Sequence, residues 1–179
     1  PQDNPFVGQA GAQPAIWSYG HRNIQSAVIT EAGVLWTVEH GPRGGDELNN
    51  PQPGVNHGWP VITYGVNYNG TEVGQGITQL EGMAQPNYYW DPVIAPSGMA
   101  EYTDDLIDEW DGALLVGGLV SQGIVILHMD GGRVEREDRV SLGHRIRDVR
   151  VGPDGAVYAV TTSRRSGSRI IRIAPAEAS

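Results

Sequence analysis

Two stretches of this chain, SAVITEAGVLWTVEHG (26–41) and RDVRVGPDGAVYAVTTS (147–163), share one plan. Each has a polar entry, a short strand, a turn containing Gly, and a second strand with an aromatic residue near its middle. Each also opens from a turn bearing arginine, HRN (21–23) in one case and HRIRD (144–148) in the other. A chain that reuses one supersecondary unit has few architectures open to it. Four-stranded antiparallel units recurring at roughly 40–60 residues point to a β-propeller, whose inner-strand ends converge on a central axis.

The segments between the repeats are also β-like. Residues 15–19 (AIWSY), 26–30, 34–39 (VLWTVE) and 61–64 read as short strands. So do 99–102, the apolar runs 113–119 (ALLVGGL) and 123–129 (GIVILHM), the polar run 133–140, and 149–151, 156–161 and 170–173. Residues 130–132 (DGG) form a hairpin turn, 106–110 one helical turn, and 65–87 a long Gly- and Asn-rich excursion. The C-terminus frays into Ala, Pro and Ser. With 25 Gly, 12 Pro and few helix formers in 179 residues, the composition is all-β. These strands amount to about three blades. Three blades do not close a ring, since propellers carry about four to eight. The chain therefore reads as a single partial propeller domain over 1–179, the C-terminal half of a larger one, with another segment or a second chain completing it. Its opening from Pro1, PQDNPFVG, reads like the middle of a loop and shows no signal peptide.

Charge narrows the partners. A net charge of −9 argues against phosphate contacts with nucleic acid. No run reaches the length of a membrane span, and without cysteine there is neither a disulfide nor a thiolate metal site.

The least regular stretch is EHGPRGGDELNNPQPGVNHGWP (39–60), which follows a clear strand and reads as neither strand nor helix. Its Gly and Pro residues bring backbone carbonyls close to a ligand, and Asp46 and Glu47 offer oxygens to a hard cation. A surface loop with solvated charges is the alternative. Arg145 and Arg147 lie two apart, so on a strand they share a face. They suit an anionic small molecule, or they pair with local acids such as Asp148. Tyr88, Tyr89 and Trp90 suit either a stacking platform or core packing. None of the five histidines lies in a metal-binding pattern, and His128, in an apolar strand, reads as structural. There is no GxSxG elbow and no GxGxxG fingerprint.

Taken together and in order, YGHRN (19–23), EHGPRGGDELN (39–49), NHGWP (56–60), YYWDPVIAPSGM (88–99) and HRIRDVRVGPDGAVY (144–158) resemble the glucose/sorbosone dehydrogenase family, the soluble quinoprotein aldose sugar dehydrogenases. The resemblance implies a six-bladed propeller that oxidises the anomeric carbon of an aldose by hydride transfer to pyrroloquinoline quinone (PQQ) with calcium. It implies that Arg22 and Asn23 touch cofactor and substrate, and that Arg145 and Arg147 hold cofactor carboxylates. The carbonyls of Gly41 and Pro42 would bind the cofactor's calcium. Glu47 and the carbonyl of His57 would bind a second calcium. Asp46, Tyr89 and Trp90 would border the sugar. Two departures stand out. In LLVGGLVSQG (114–123), Val120 falls near a position where soluble glucose dehydrogenases carry a cofactor-binding lysine. The family's general-base histidine belongs to a blade upstream of Pro1, so no catalytic residue is assigned within the chain. A calcium- and anion-binding module without redox activity is the alternative function. The resemblance further implies a periplasmic or secreted protein with a separate electron acceptor.

Overall fold

The computed structural model describes residues 1–163 and 167–176. The described residues form three antiparallel sheets and one short 3-10 turn, Asp108–Trp110. The first sheet holds β1 (Ile24–Ile29), β2 (Leu35–Glu39), β3 (Asp46–Asn49) and β4 (Tyr88–Trp90) in that order. The second holds β5 (Pro96–Glu101), β6 (Leu114–Gly118), β7 (Gly123–Asp130) and β8 (Arg133–Ser141), again in sequence order. The third holds β9 (Arg145–Val151), β10 (Val157–Thr162) and β11 (Ile170–Ile173). These are three blades of a β-propeller. Residues 177–179 of the frayed tail lie outside the described residues.

The innermost strands β1, β5 and β9 lie side by side. Ser26 Oγ of β1 accepts the Met99 amide of β5 at 3.0 Å, and Ser97 Oγ of β5 donates to Ile146 O of β9 at 2.8 Å. The middle blade is buried on both faces, which is why its strands read as continuous apolar runs rather than alternating ones. Leu114, Val116, Val125 and Leu127 face the first blade and join Trp36, Val38, Leu48, Trp90 and Met99. The intervening Leu115, Ile124 and Ile126 face the third blade and join Ile146, Val149, Val157 and Ala159. At about 25 cal/mol per Å² of apolar area, these two layers supply most of the cohesion. β8, with exposed Arg133, Glu135 and Arg136, is the solvated outer edge of its blade.

Three expectations are corrected. Residues 46–49 form a strand within the stretch that reads as irregular. DELN has low strand propensity, but Leu48 is fully buried in the blade core, and Thr37, Val38 and Glu39 of β2 pair with Asn49, Leu48 and Glu47. Residues 15–19 are not a strand. They run beside residues 51–57, held by Tyr19 N to Val55 O at 3.1 Å and His57 N to Tyr19 O at 2.7 Å, with one isolated bridge from Tyr19 to Asn56. Residues 61–64 likewise make only the isolated bridge Ile62 to Ile77. In addition, Arg145–Asp148, read as a turn, opens strand β9.

Register places the chemistry. Ile24 at the start of β1 pairs with Glu39 at the end of β2, and Asp46 at the start of β3 pairs with Trp90 at the end of β4. Pro96 pairs with Gly118, and Arg145 with Thr162. One end of the blades therefore gathers the segments 20–23, 40–45, 91–95, 119–122 and 142–145.

Candidate functional site

Glu39 ends β2 and is 2% exposed. Four donors converge on its carboxylate. Oε1 accepts from His21 Nδ1 at 2.9 Å and Asn49 Nδ2 at 2.8 Å, and Oε2 from the backbone amides of Arg22 at 2.7 Å and Asn23 at 3.3 Å. Burial pushes this carboxyl up, but the His21 imidazole and the two amides outweigh it and hold it below the usual range. Glu39 thus fixes the turn that displays Arg22 and Asn23. With Nδ1–H committed to Glu39, His21 Nε2 accepts the Ser18 hydroxyl at 2.8 Å. Hydroxyl, imidazole and carboxylate stand in the order of an acyl-transfer triad. Sharing Glu39 among four donors commits the group to holding the turn.

The side chains on that turn face different ways. Arg22 lies over the Trp59 ring, 5.2 Å from its centroid, and gives one arm to His40 O at 2.9 Å. Asn23 is exposed, and its side-chain oxygen accepts from Gln25 Nε2 at 3.0 Å.

After β2 the chain turns through buried Gly41 and Pro42. A Cβ on Gly41 would strike the carbonyl oxygens of Gly44 and Gly45, so the turn closes only with glycine there. Neither the Gly41 nor the Pro42 carbonyl accepts a hydrogen bond from the described residues. Asp46 holds the turn. Its Oδ1 accepts the Gly41 amide at 3.0 Å and its Oδ2 the Ala95 amide at 2.7 Å. Burial raises the Asp46 carboxyl, and these amides offset part of the rise. Being 1% exposed with both oxygens engaged, Asp46 is not free to meet a sugar, so geometry makes it a clamp between Gly41 and the entry to β5.

Glu47 stands directly across from Glu39 in the β2–β3 register. Like charges so placed repel. Burial first, then Glu39 and Asp46, push the Glu47 carboxyl up to about 7, against the hydrogen bond from Asn49 Nδ2 at 3.0 Å and the nearby His21. Beside it, His57 is buried and stacked on His21, with ring centroids 4.4 Å apart. Burial and His21 depress the His57 imidazole to about 4, with Glu39 working the other way. Both His57 ring nitrogens and Asn49 Oδ1 are buried without partners. A cavity of about 10 Å³, bordered by Glu39, Gly41, Glu47, His57 and Thr63, has room for one water-sized particle.

This donor set fits a hard cation. Among the described residues no three His, Cys, Asp or Glu side chains are spaced to hold a metal. A cation here would therefore rely on backbone and amide oxygens beside Glu47, as calcium does.

Arg145 and Arg147 are exposed on β9. The ladder to β10 slips between them: Thr161 pairs with Ile146 and Val160 with Asp148, leaving Arg147 as the bulged residue. Arg145 gives one arm to Leu119 O at 3.2 Å. The expected alternative, pairing with Asp148, goes to a different arginine: Arg150 takes Asp148 Oδ1 at 3.0 Å. Among the described residues the Arg147 guanidinium has neither hydrogen bond nor ion pair. It borders a hollow of about 310 Å³ with Gln25, Ser26, Ser97 and Gly98. These guanidiniums fit an anionic, carboxylate-bearing ligand. Val120 lies on the nearby β6–β7 turn and is 52% exposed.

Pro1, the residue upstream of which the resemblance places the general base, has no part in the site. It is exposed and borders neither the cavity at Glu47 nor the hollow at Arg147. Two histidines at this end of the blades are already engaged: His21 with Glu39 and Ser18, and His40 Nε2 with Pro96 O at 2.7 Å.

The aromatic stretch splits. Trp90 is not at the surface: it is buried in the layer between blades, and its Nε1 donates to Glu137 Oε2 at 2.7 Å. It cannot border a sugar. Tyr89 is 44% exposed and stacks on Tyr64 with centroids 3.9 Å apart and planes 12° apart. The sequence reading missed Tyr64, Glu39, His21 and Asn49. For Glu39 and Asn49 a signal was present. Once DELN is a strand, alternation puts Glu47 and Asn49 on one face, opposite the end of VLWTVE. Tyr64 gave none, because at the end of a short apolar run read as a strand nothing marks it for stacking on Tyr89.

Comparison with known proteins bears on the family and the fold. The family model for glucose/sorbosone dehydrogenase matches residues 1–172. Aldose sugar dehydrogenase YliI of Escherichia coli strain K12 is 41% identical over 179 residues, which is 98% of this chain and 48% of that protein. A crystal structure of glucose dehydrogenase superposes with a TM-score of 0.93 at 42% identity, over 98% of this chain and 51% of that one. The PQQ-bound aldose sugar dehydrogenase of Streptomyces coelicolor shares the fold, with a TM-score of 0.70 at 24% identity over 96% of this chain and 49% of its own. The chain spans about half the length of the curated relatives it matches.

Proposed function

Because the chain belongs to the glucose/sorbosone dehydrogenase family, we propose that it supplies the cofactor and cation wall of a site that oxidises the anomeric carbon of an aldose to a lactone. The observation that carries this is that one fold displays both an Arg147 guanidinium without a partner among the described residues and a Gly41–Pro42 turn whose carbonyls accept no hydrogen bond from them.

When bound, PQQ would supply a quinone carbonyl that accepts hydride, with calcium polarising it. Arg145 and Arg147 would hold its carboxylates, and Arg22 and Asn23, displayed by Glu39, would face cofactor and sugar. The Gly41 and Pro42 carbonyls would hold the cofactor's calcium. Glu47, with the His57 carbonyl, would hold a second. Tyr89, backed by Tyr64, would offer an apolar face to the C–H side of a sugar ring. In the reaction the anomeric C–H leaves as hydride and the hydroxyl hydrogen as a proton, giving the C=O of the lactone. We assign the base for that proton to a partner segment outside these 179 residues, and the return of the cofactor to its oxidised form to a separate electron acceptor. We further propose a periplasmic or secreted location. Among the described residues no helix is long and apolar enough to cross a membrane.

Titrating the protein with PQQ and calcium, then adding glucose, tests this reading. Calcium-dependent uptake weakened by Arg147→Ala is expected, and bleaching of the bound quinone by sugar once the partner segment is supplied. No uptake would refute the reading. Uptake without bleaching in the completed protein would favour a binding module, to which the exposed Val120, in place of a cation, lends some support.

A further inference from the structure

β9 is the inner strand of its blade, so one row of its backbone groups has no ladder partner. That row faces β5, and at the bulge it meets Ser97. Ser97 is 4% exposed, and its Oγ lies 2.8 Å from Ile146 O and 3.0 Å from Gly117 O. Ile146 is the residue between Arg145 and Arg147. The hydroxyl has one hydrogen to give, and Ile146 O is the nearer acceptor, so it ties β5 to the backbone link between the two arginines.

The surroundings hold β5 and β9 close together here. A Cβ on Gly98 would strike the side chain and backbone of Asp148, so only glycine lets the strands meet there. Gly117 is similarly confined: a Cβ would lie 2.8 Å from Ser97 Oγ and 2.9 Å from Ile146 Cγ2. Asp148, the acid next to the bulge, is occupied by Arg150 and by the Val149 amide at 2.9 Å. Local acids therefore leave Arg147 alone, and the backbone beneath it is pinned by a hydroxyl. Bulges re-aim side chains at sheet edges and beside active sites. Beside this one the Ile146 carbonyl faces β5, and Ser97 donates to it.

We propose that Ser97 is a positioning residue for the anion site: its hydroxyl locks the β9 bulge so that Arg147 projects into the hollow beside Gln25 and Ser26. This rests on the reading that Arg147 holds a cofactor carboxylate. A hydroxyl that only satisfied buried carbonyls would cost stability when removed and leave anion affinity unchanged.

The test is a double-mutant cycle of Ser97→Ala and Arg147→Ala in calcium-loaded protein, with PQQ affinity by fluorescence titration as the readout and thermal midpoints recorded alongside. We expect Ser97→Ala to weaken PQQ by about fivefold to tenfold, the worth of one hydrogen bond. In the Arg147→Ala background the same change should cost nothing further, because there is no longer an arginine to aim. If the two losses add in full, or if Ser97→Ala lowers only the thermal midpoint, Ser97 is not a positioning residue and this inference fails alone. If Arg147→Ala leaves PQQ affinity intact, the cofactor reading of Arg147 fails and takes this inference with it. Should Ser97→Ala not fold, Ser97→Thr, which keeps the hydroxyl, enters the same cycle and is expected to leave PQQ affinity within about twofold; a loss as large as that expected of Ala would overturn the inference.

Discussion

Replacing Glu47 by Gln should stabilise the metal-free protein at pH 8 and remove its stabilisation by calcium. The Glu47 carboxyl rises from its ordinary 4.5 to about 7, chiefly through burial. Below pH 4.5 the group is protonated in both folded and unfolded chains, and there is no cost. Between pH 4.5 and 7 the unfolded chain ionises while the folded one keeps its proton, so stability falls. Above pH 7 the whole cost is present, about 3 kcal/mol at 1.36 kcal/mol per pH unit. Gln keeps an oxygen for Asn49 Nδ2 and carries no charge, so at pH 8 the variant should recover roughly 1–3 kcal/mol. For a chain of this length that is about 2–4 °C in melting midpoint per kcal/mol. At pH 4 the two proteins should melt together. Calcium reverses the comparison, because a divalent charge beside Glu47 turns an ionised carboxylate from a cost into a ligand. Wild type should then gain stability with calcium, increasingly so as pH rises through 7, and the variant should gain little. Thermal melts by circular dichroism from pH 4 to 8, with chelator or with calcium, decide the matter. A variant that melts below wild type at pH 8 in chelator, or that gains as much from calcium, would refute the reasoning.

Gly41→Val should abolish calcium-dependent PQQ uptake, because its side chain would strike the carbonyls of Gly44 and Gly45. Arg43→Ala should change uptake less than twofold, since Arg43 contributes backbone bonds to Val66 and its side chain is exposed; isothermal titration of both variants checks the order. Glu39→Gln should lower stability by about 2–4 kcal/mol in urea unfolding, because a neutral amide cannot serve four donors. Tyr89→Ala should raise the sugar KM of the completed enzyme severalfold with little change in melting. Trp90→Phe should do the opposite, lowering the melting midpoint by breaking the bond to Glu137 and leaving KM unchanged.

Much of the fold was legible because the middle blade announces itself. ALLVGGL and GIVILHM are apolar on both faces, and a strand buried on both faces has no need to alternate. The hairpin at 130–132 and the paired strands around 31–33 were equally plain, since Gly and Asp mark turns locally. DELN was misread because its strand character comes from its neighbours on either side, not from its residues. Residues 15–19 failed for the converse reason: an apolar, aromatic run with no adjacent strand to pair with. At the site, the arginines and the Gly41–Pro42 turn stand out as residue types. Asp46 and Trp90 were given the wrong task. Their chemistry suits a sugar site, and only burial reveals that one is spent on two amides and the other on Glu137.

The opposite signs expected for Glu39→Gln and Glu47→Gln follow from a single register pair. Both are glutamates near the same end of adjacent strands, and they face each other directly. Glu39 receives four hydrogen bonds, and these outweigh the cost of burying its charge. Glu47 receives one, and burial wins. Asn49 donates to both from a single Nδ2 and is left with a buried, unpartnered Oδ1. A protein that needed only to bury this corner could have placed an apolar residue at position 47 at less cost. A half-satisfied carboxylate and a neutral, unpartnered imidazole around a space for one particle make sense together if that particle is a cation. On that account the fold spends Glu39 on shape and leaves Glu47 short of partners so that it binds one. If saturating calcium left the stability of wild type unchanged at pH 8, the imbalance between the two glutamates would lose its explanation.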